Sequence, residues 1–333
     1  MTQAQQANGH QMIQHQEIGT AFEGIYYVES AFVKKTVQNK DYTDFTLRDR
    51  SGARNVKFWG TVPGVAKGDW VFVAANVEDY QGRPSVVSKN VEKVDAPDDL
   101  SNYIPIYEDS DKNAAKFDQL RECLKELETA TGNPTGGMMV DEVYKNSAFF
   151  QRFVVSPGSA RPHYGRQGGL LANTVRIAEA YLNSAEAYRL TDDEKAILVA
   201  SALLARIGAI EAFEFEDCMP AVTKKGMLLG INNLTMTRIS SALKRVVSNL
   251  ARENKVPDQE TVVRILHAVS SHDGVCVQPM TKEALVLQSI YATDSQIVDS
   301  MDFIEADVNV TEEFTAYDPS MGRKYYTGVR VTA

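Results

Sequence analysis

The chain has 333 residues, 44% of them apolar, and a net charge of −9. That length suits two domains better than one, and the apolar share is ample for sizeable cores. The acidic balance excludes a protein that coats phosphate backbones indiscriminately, although it leaves room for a local basic groove.

Residues 1–19 are Gln-rich and polar and read as a flexible tail. Residues 20–95 alternate apolar and polar positions between turn signals: Phe22–Val28, Asp44–Asp49, Asn55–Trp59 and Trp70–Ala74, with further turns at Arg50-Ser51-Gly52 and Gln81-Gly82-Arg83-Pro84. Short strands at this spacing predict a small closed β-barrel of the OB type. Residues 96–115 form a linker rich in Asp, Pro and Asn. From 116 to 308 the apolar positions take helical spacing, beginning with Phe117, Leu120, Leu124 and Leu127. Helices are expected near 138–155, 168–188, 192–209, 232–253, 258–272, 281–291 and 293–305. Residues 309–333 form a polar and aromatic C-terminal extension. The fold class expected is therefore a multidomain protein, a small β-barrel followed by an all-α domain.

Charge follows this division. Residues 1–95 carry 11 Lys/Arg and 11 Asp/Glu, whereas residues 96–333 carry 24 and 33. Cys123, Cys218 and Cys276 form no CxxC pair, which fits a reducing compartment. No apolar run approaches the roughly 18 residues of a membrane span, and no signal peptide is recognisable. A cytoplasmic protein without membrane partners is expected.

The segment Gly168-Gly169-Leu170-Leu171-Ala172-Asn173-Thr174 resembles the Gly-Gly-Leu-x-x-His-Thr motif of metal-dependent HD phosphohydrolases. With the barrel ahead of it, the chain resembles the bacterial OB-plus-HD 3′→5′ exoribonucleases of the YhaM type, from about Phe22 to about Tyr326. Tyr164, Glu283-Ala284-Leu285, Asp294 and His267 match family positions, and His163 keeps the first of two family histidines. The resemblance implies an HD-like helical domain, oligomeric assembly and a metal centre. The ligand positions it implies hold other residues. Asn173 replaces a His, Ala205-Arg206 replaces the His-Asp doublet, Ile231 replaces a His, and Ser271-His272-Asp273-Gly274 replaces Ser-His-His-Gly. Ala and Ile have no ligand atoms, and Arg206 brings a permanent cation where a carboxylate belongs. No metal or other cofactor is expected, and no catalytic residue is assigned. His163, Arg206, His272, Asp273 and Asp294 remain as a residual cleft. Arg206 has two readings: a plug paired with Asp273 or Asp294, or a phosphate contact.

In the barrel, Arg48, Arg50, Arg54, Lys57 and Trp59 surround one hairpin. Cations beside an aromatic predict contacts with single-stranded nucleic acid; Tyr42 and Tyr80 are further candidates. The leading expectation is a non-catalytic protein that binds single-stranded RNA or DNA and forms a homo-oligomer. Two alternatives stay open: an adaptor or inhibitor that binds a protein partner, and a metal-dependent 3′→5′ exonuclease with an atypical site.

Overall fold

The computed structural model describes residues 10–80, 83–107, 109–161, 164–275, 277–306 and 313–328. The chain forms two compact units, Met1–Ile106 with Phe215–Met219, and Tyr107–Glu214 with Pro220–Ala333. In the first, β1 (Ala21–Lys35), β2 (Asp41–Asp49), β3 (Gly52–Phe58), β4 (Trp70–Tyr80) and β5 (Arg83–Val94) close in the order β1-β2-β3-β5-β4. β1 is antiparallel to both β2 and β4, and β3 meets β5 in parallel. This is an OB-like barrel, and closure leaves no free sheet edge.

Alternation decides which side chains fill it. On β2, Thr43, Phe45, Leu47 and Asp49 are buried, while Tyr42, Asp44, Thr46 and Arg48 point outward. Phe45 and Leu47 join Phe22, Tyr26, Val56 and Val73 in the core. Residues 10–19 depart from the expected flexible tail. They form a 3₁₀ turn at Ile13–His15, and Ile13 is fully buried in the barrel core. Fully buried Asp49 accepts the Ile13 amide at 2.6 Å and the Ser51 amide at 2.8 Å, and meets His10 Nε2 at 3.0 Å. Residues 1–9 lie outside the described residues.

The second unit contains α1 (Ser110–Thr131), α2 (Thr135–Tyr144), α3 (Ser147–Val155), α4 (Gly169–Ala185), α5 (Asp192–Leu204), α6 (Ala209–Ala212), α7 (Lys224–Ala251), α8 (Gln259–Ser271) and α9 (Lys282–Ala306). α5 is the central element. Its capping box, Thr191 with Glu194, starts it, and every residue from Ala196 to Leu204 is buried. α1, α2, α4, α8 and α9 pack around it. The helix expected over 138–155 is two helices, because Asn146 leaves helical geometry and caps α3 by accepting the Phe149 amide. The two helices expected over 281–305 are one, since nothing in that stretch breaks the backbone ladder. A two-stranded hairpin, β6 (Phe213–Glu216) and β7 (Met219–Val222), was not expected. Within α7, Gly230 takes φ 72°, ψ 159° and kinks the helix. Residues 313–328 form a loop closed by bridges Phe314↔Tyr326 and Asp318↔Arg323, with Ser300 of α9 bonded to the Tyr325 hydroxyl at 3.1 Å.

Candidate nucleic-acid interface and the helical cleft

The outward positions of β1, β2 and β3 form one aromatic and basic face. Strand register places Phe32, Asp44 and Lys57 in one row. In the next row Lys34 lies opposite Tyr42, and Trp59 follows just beyond the end of β3. Phe32 and Trp59 are each 60% exposed, and Tyr80 is 62% exposed. The Tyr42 and Trp59 rings lie 5.4 Å apart at 47°. Lys57 Nζ sits 5.8 Å from the centre of the Tyr80 ring. Lys34 is held by Asp44 at 2.5 Å, and both ends of that pair reach solvent. Exposed rings carry no burial benefit where they stand, and their faces are open to stack on another planar group.

The other basic residues of the hairpin have different duties. Arg54 pairs in register with Leu47 and therefore lies on the inner row of β3, two residues from buried Val56. Its guanidinium donates to the Ile13 carbonyl at 3.0 Å and the Gln16 carbonyl at 2.7 Å. Burial lowers its pKa. Arg54 is thus a strap that fastens residues 13–16 to the barrel, a correction to its place among solvent-facing cations. Arg48 is paired with Glu29 at 2.9 Å. Arg50 is exposed and reaches the Ser101 carbonyl at 3.4 Å. Lys57 and Trp59 stay on the open face, joined by Phe32 and Lys34, which the sequence reading missed. The signal was hidden by a β-bulge between Val28 and Ser30, which flips the alternation of β1 and puts Phe32 and Lys34 on the face opposite Tyr26 and Val28.

In the helical unit the residual cleft residues separate. His163 lies outside the described residues. Asp294 is buried and accepts the Tyr164 hydroxyl at 2.7 Å, Arg176 Nε at 2.8 Å and Asn173 Nδ2 at 3.5 Å. The cation that neutralises this acid is Arg176, one turn after Asn173 on α4, and not Arg206. Arg206 donates to the Gly158 carbonyl at 2.8 Å and forms no ion pair within 4.0 Å among the described residues. The expected plug paired with Asp273 or Asp294 is therefore absent. Asp273 is exposed and holds Asn232 at 2.6 Å. His272 is buried, its Nδ1 against the Val269 carbonyl at 2.7 Å and its ring edge-on to Tyr291. Burial, then the nearby Arg206 charge, lowers its pKa, so the ring is neutral near pH 7. Ala205 is fully buried among apolar neighbours, and Ile231 follows the α7 kink. His267 accepts the Met280 amide at 2.8 Å and serves the local loop.

These residues do not fit a metal centre. Among the described residues no group of three or more His, Cys, Asp or Glu side chains could hold an ion. The buried polar atoms left without partners here are Arg206 Nε, the Tyr291 hydroxyl and Asn173 Oδ1. A guanidinium N–H is a donor only, and a permanent cation in the same place raises the cost of admitting another. Gly168 and Gly169 have a backbone role. A Cβ on Gly169 would strike the Tyr164 carbonyl, and Gly168 adopts φ 81° at the entry to α4. The two glycines let the loop and helix approach closely.

No family model matches the chain, and no curated protein matches it. Among solved structures, the second OB-fold domain of replication protein A from Methanococcus maripaludis is similar over its whole length to 27% of this chain, at 14% identity and a TM-score of 0.23. The barrel is OB-like by its own strand order and closure. Among the described residues no helix is long and apolar enough to cross a membrane.

Proposed function

We propose that this is a non-catalytic protein that binds single-stranded nucleic acid on the outward face of β1–β3, built on a scaffold resembling an exoribonuclease. The observation that carries the reading is the exposed set Phe32, Trp59 and Tyr80, with half-buried Tyr42 beside Trp59, interleaved with Lys34 and Lys57. Aromatic faces stack on any base, and the ammonium groups meet the backbone, so affinity without strict sequence preference follows. The helical unit supplies no hydrolytic centre in this reading, because its ligand positions hold Asn173, Ala205, Arg206 and Ile231.

The chain has two tryptophans, and Trp70 is buried while Trp59 is exposed. Quenching of tryptophan emission by an oligonucleotide of about 15 residues therefore reports on Trp59. Parallel titrations with oligo-dT and oligo-U separate DNA from RNA. Quenching that saturates, weakens with salt and vanishes in Trp59→Phe is expected. Absence of binding at low salt would remove the reading. Labelled strands incubated with Mn²⁺ or Mg²⁺ test the catalytic alternative, in which Asp294→Ala would abolish turnover.

A second reading, contact with a protein, draws on Met227, Leu228 and Leu229, which are 77%, 72% and 50% exposed ahead of the Gly230 kink. Three exposed apolar side chains in succession favour a partner surface, a second copy of the chain included. Light scattering of the native protein beside Leu228→Lys tests self-association.

A further inference from the structure

A groove of about 460 Å³ opens in the helical unit between the α2–α3 junction and α7. Its lining includes Lys145, Arg152, Arg238 and Arg245 against a single acid, Glu142. Residues 96–333 as a whole are acidic, so this concentration of cations runs against its background. We infer that the groove is a binding site for a small molecule carrying a phosphate monoester, of about the size of a mononucleotide.

The cations are held in place before any ligand arrives. Arg238 stacks over Phe149, 4.1 Å from the ring centre, and bonds Glu211 at 3.1 Å. Arg152 is fixed by the Ile210 carbonyl at 2.8 Å. Glu142, whose carboxylate is buried, receives Lys145 at 2.6 Å on one oxygen and Arg245 Nε on the other. Each of these bonds uses one N–H of its cation, and a guanidinium offers five. Lys145 and Arg245 remain about half exposed, at 56% and 50%. Four like charges around one hollow repel one another, and the two carboxylates of Glu142 and Glu211 offset only part of that. A phosphate monoester brings a charge of about −1.5 to −2 and three acceptor oxygens, which match forked guanidinium donors. A carboxylate carries half that charge and fewer acceptors. The volume falls within the range of about 300–1,000 Å³ usual for small-ligand sites. A second hollow of about 210 Å³, lined by Glu211, Leu234, Thr237 and Ser241, shares Arg238 and Arg245 with it and extends the space beyond the cationic centre, with Glu211 already engaged by Arg238. Thr237 and Ser241 offer hydroxyls there for the remainder of the ligand.

The test uses the full chain and calorimetric melting at fixed ionic strength, with sodium chloride replaced stepwise by inorganic phosphate, AMP or adenosine. Phosphate and AMP should raise the melting temperature in a saturable way, and adenosine should not. A larger response to AMP identifies a nucleotide, and equal responses identify the phosphoryl group alone; either supports the site. Arg152→Gln combined with Arg245→Gln should weaken the apparent affinity by about tenfold or more. Should that protein fail to fold, Lys145→Gln, a change at a half-exposed residue, should weaken it by about threefold. Trp59→Ala should leave the response unchanged, which separates this site from the barrel face. No response to phosphate or AMP beyond chloride, or a response undiminished in the folded variants, would overturn the assignment.

Discussion

The barrel face and the helical cleft hold the same kinds of side chain and treat them in opposite ways. On the barrel, strand register sends Phe32, Lys34 and Lys57 outward beside Trp59; the Phe32 and Trp59 rings remain open, and Lys34 and Lys57 meet only Asp44 and the Tyr80 ring at the surface. In the helical unit, Asp294 turns inward and is consumed by Tyr164, Arg176 and Asn173. Asp294 serves as a structural acid, because a buried carboxylate must be satisfied by whatever lies near it. A motif position that keeps its residue type therefore need not keep its task. Burial and partners decide, and mutations should divide along the same line.

The largest effect is expected at Asp294. Asp294→Ala strips Tyr164 of its acceptor and leaves Arg176 without its counter-charge. Arg176 is 47% exposed and can turn to water, so the loss should be about 2–3 kcal/mol by denaturant unfolding. Affinity for single strands should not move. Weakened binding by a protein of unchanged stability would place the ligand in the cleft and reverse the comparison.

Glu128 sharpens it through pH. This acid of α1 is buried, accepts the Gly137 amide at 2.6 Å at the start of α2, and is pushed up to about 7 by burial despite the amides of Gly136 and Gly137. Its unfolded value is about 4.5. The folded state thus binds the extra proton between those values, and the stability it contributes is fully present below pH 4.5 and lost as pH rises through 7. A fall of the order of 2 kcal/mol across that window is expected. In Glu128→Gln the slope between pH 5 and 7 should flatten, measured by chemical denaturation at each pH. An unchanged slope would mean the carboxyl is ionised throughout.

On the barrel, Trp59→Ala should cost about 1–3 kcal/mol of single-strand affinity, the range for one stacked base. Because the ring is 60% exposed, stability should shift by no more than about 0.5 kcal/mol. Arg54→Ala should do the reverse. It removes two bonds to the Ile13 and Gln16 carbonyls and should cost about 1–2 kcal/mol of stability with little change in affinity. If Arg54→Ala binds ten times more weakly yet melts normally, the strap assignment is wrong.

The barrel was legible because its core strands alternate cleanly, as in Phe45, Leu47 and Asp49 against Thr46 and Arg48. The bounds of α4 and α8 were close to expectation because Gly168 and Asp258 mark their starts. Less visible were features made by distant pairs. Gln-rich composition concealed that Ile13 inserts into the core and that its carbonyl awaits Arg54. Arg54 was grouped with Arg48 and Arg50 by sequence proximity, although its spacing of two from Val56 already assigned it to the inner row. Phe213-Glu214-Phe215-Glu216 showed strand alternation inside a helical stretch and was passed over because the surrounding period was helical. Arg176 was overlooked because family motifs draw attention to ligand positions, whereas a buried acid recruits its cation from the same helix face, three residues beyond Asn173. The groove cations stand at the α2–α3 junction, on α3 and on α7, between 145 and 245 in sequence, and no local pattern joins them.

The smallest effect is expected at Lys57, and it separates a phosphate contact from a merely nearby charge. Lys57 Nζ lies against the Tyr80 ring, in a row with Phe32 and Asp44, and has no carboxylate within 4.0 Å among the described residues. An ammonium that meets a strand phosphate displaces one condensed counterion, so the logarithm of affinity falls with the logarithm of salt by about 0.7 for each such contact on single strands. Lys57→Gln keeps a polar side chain, one atom shorter, and removes the positive charge together with its contact to the Tyr80 ring. At low salt its affinity should drop by less than about 1 kcal/mol, too little to interpret alone. The slope is the sharper measure: titrations at four salt concentrations should give a line shallower by about 0.7 than that of the native protein. Trp59→Ala should shift its line downward with the slope intact, since stacking releases no counterions. Parallel lines for Lys57→Gln and the native protein would leave the stacked rings in place and take Lys57 out of the interface, and the electrostatic share would then fall to Lys34, across the strands from Tyr42.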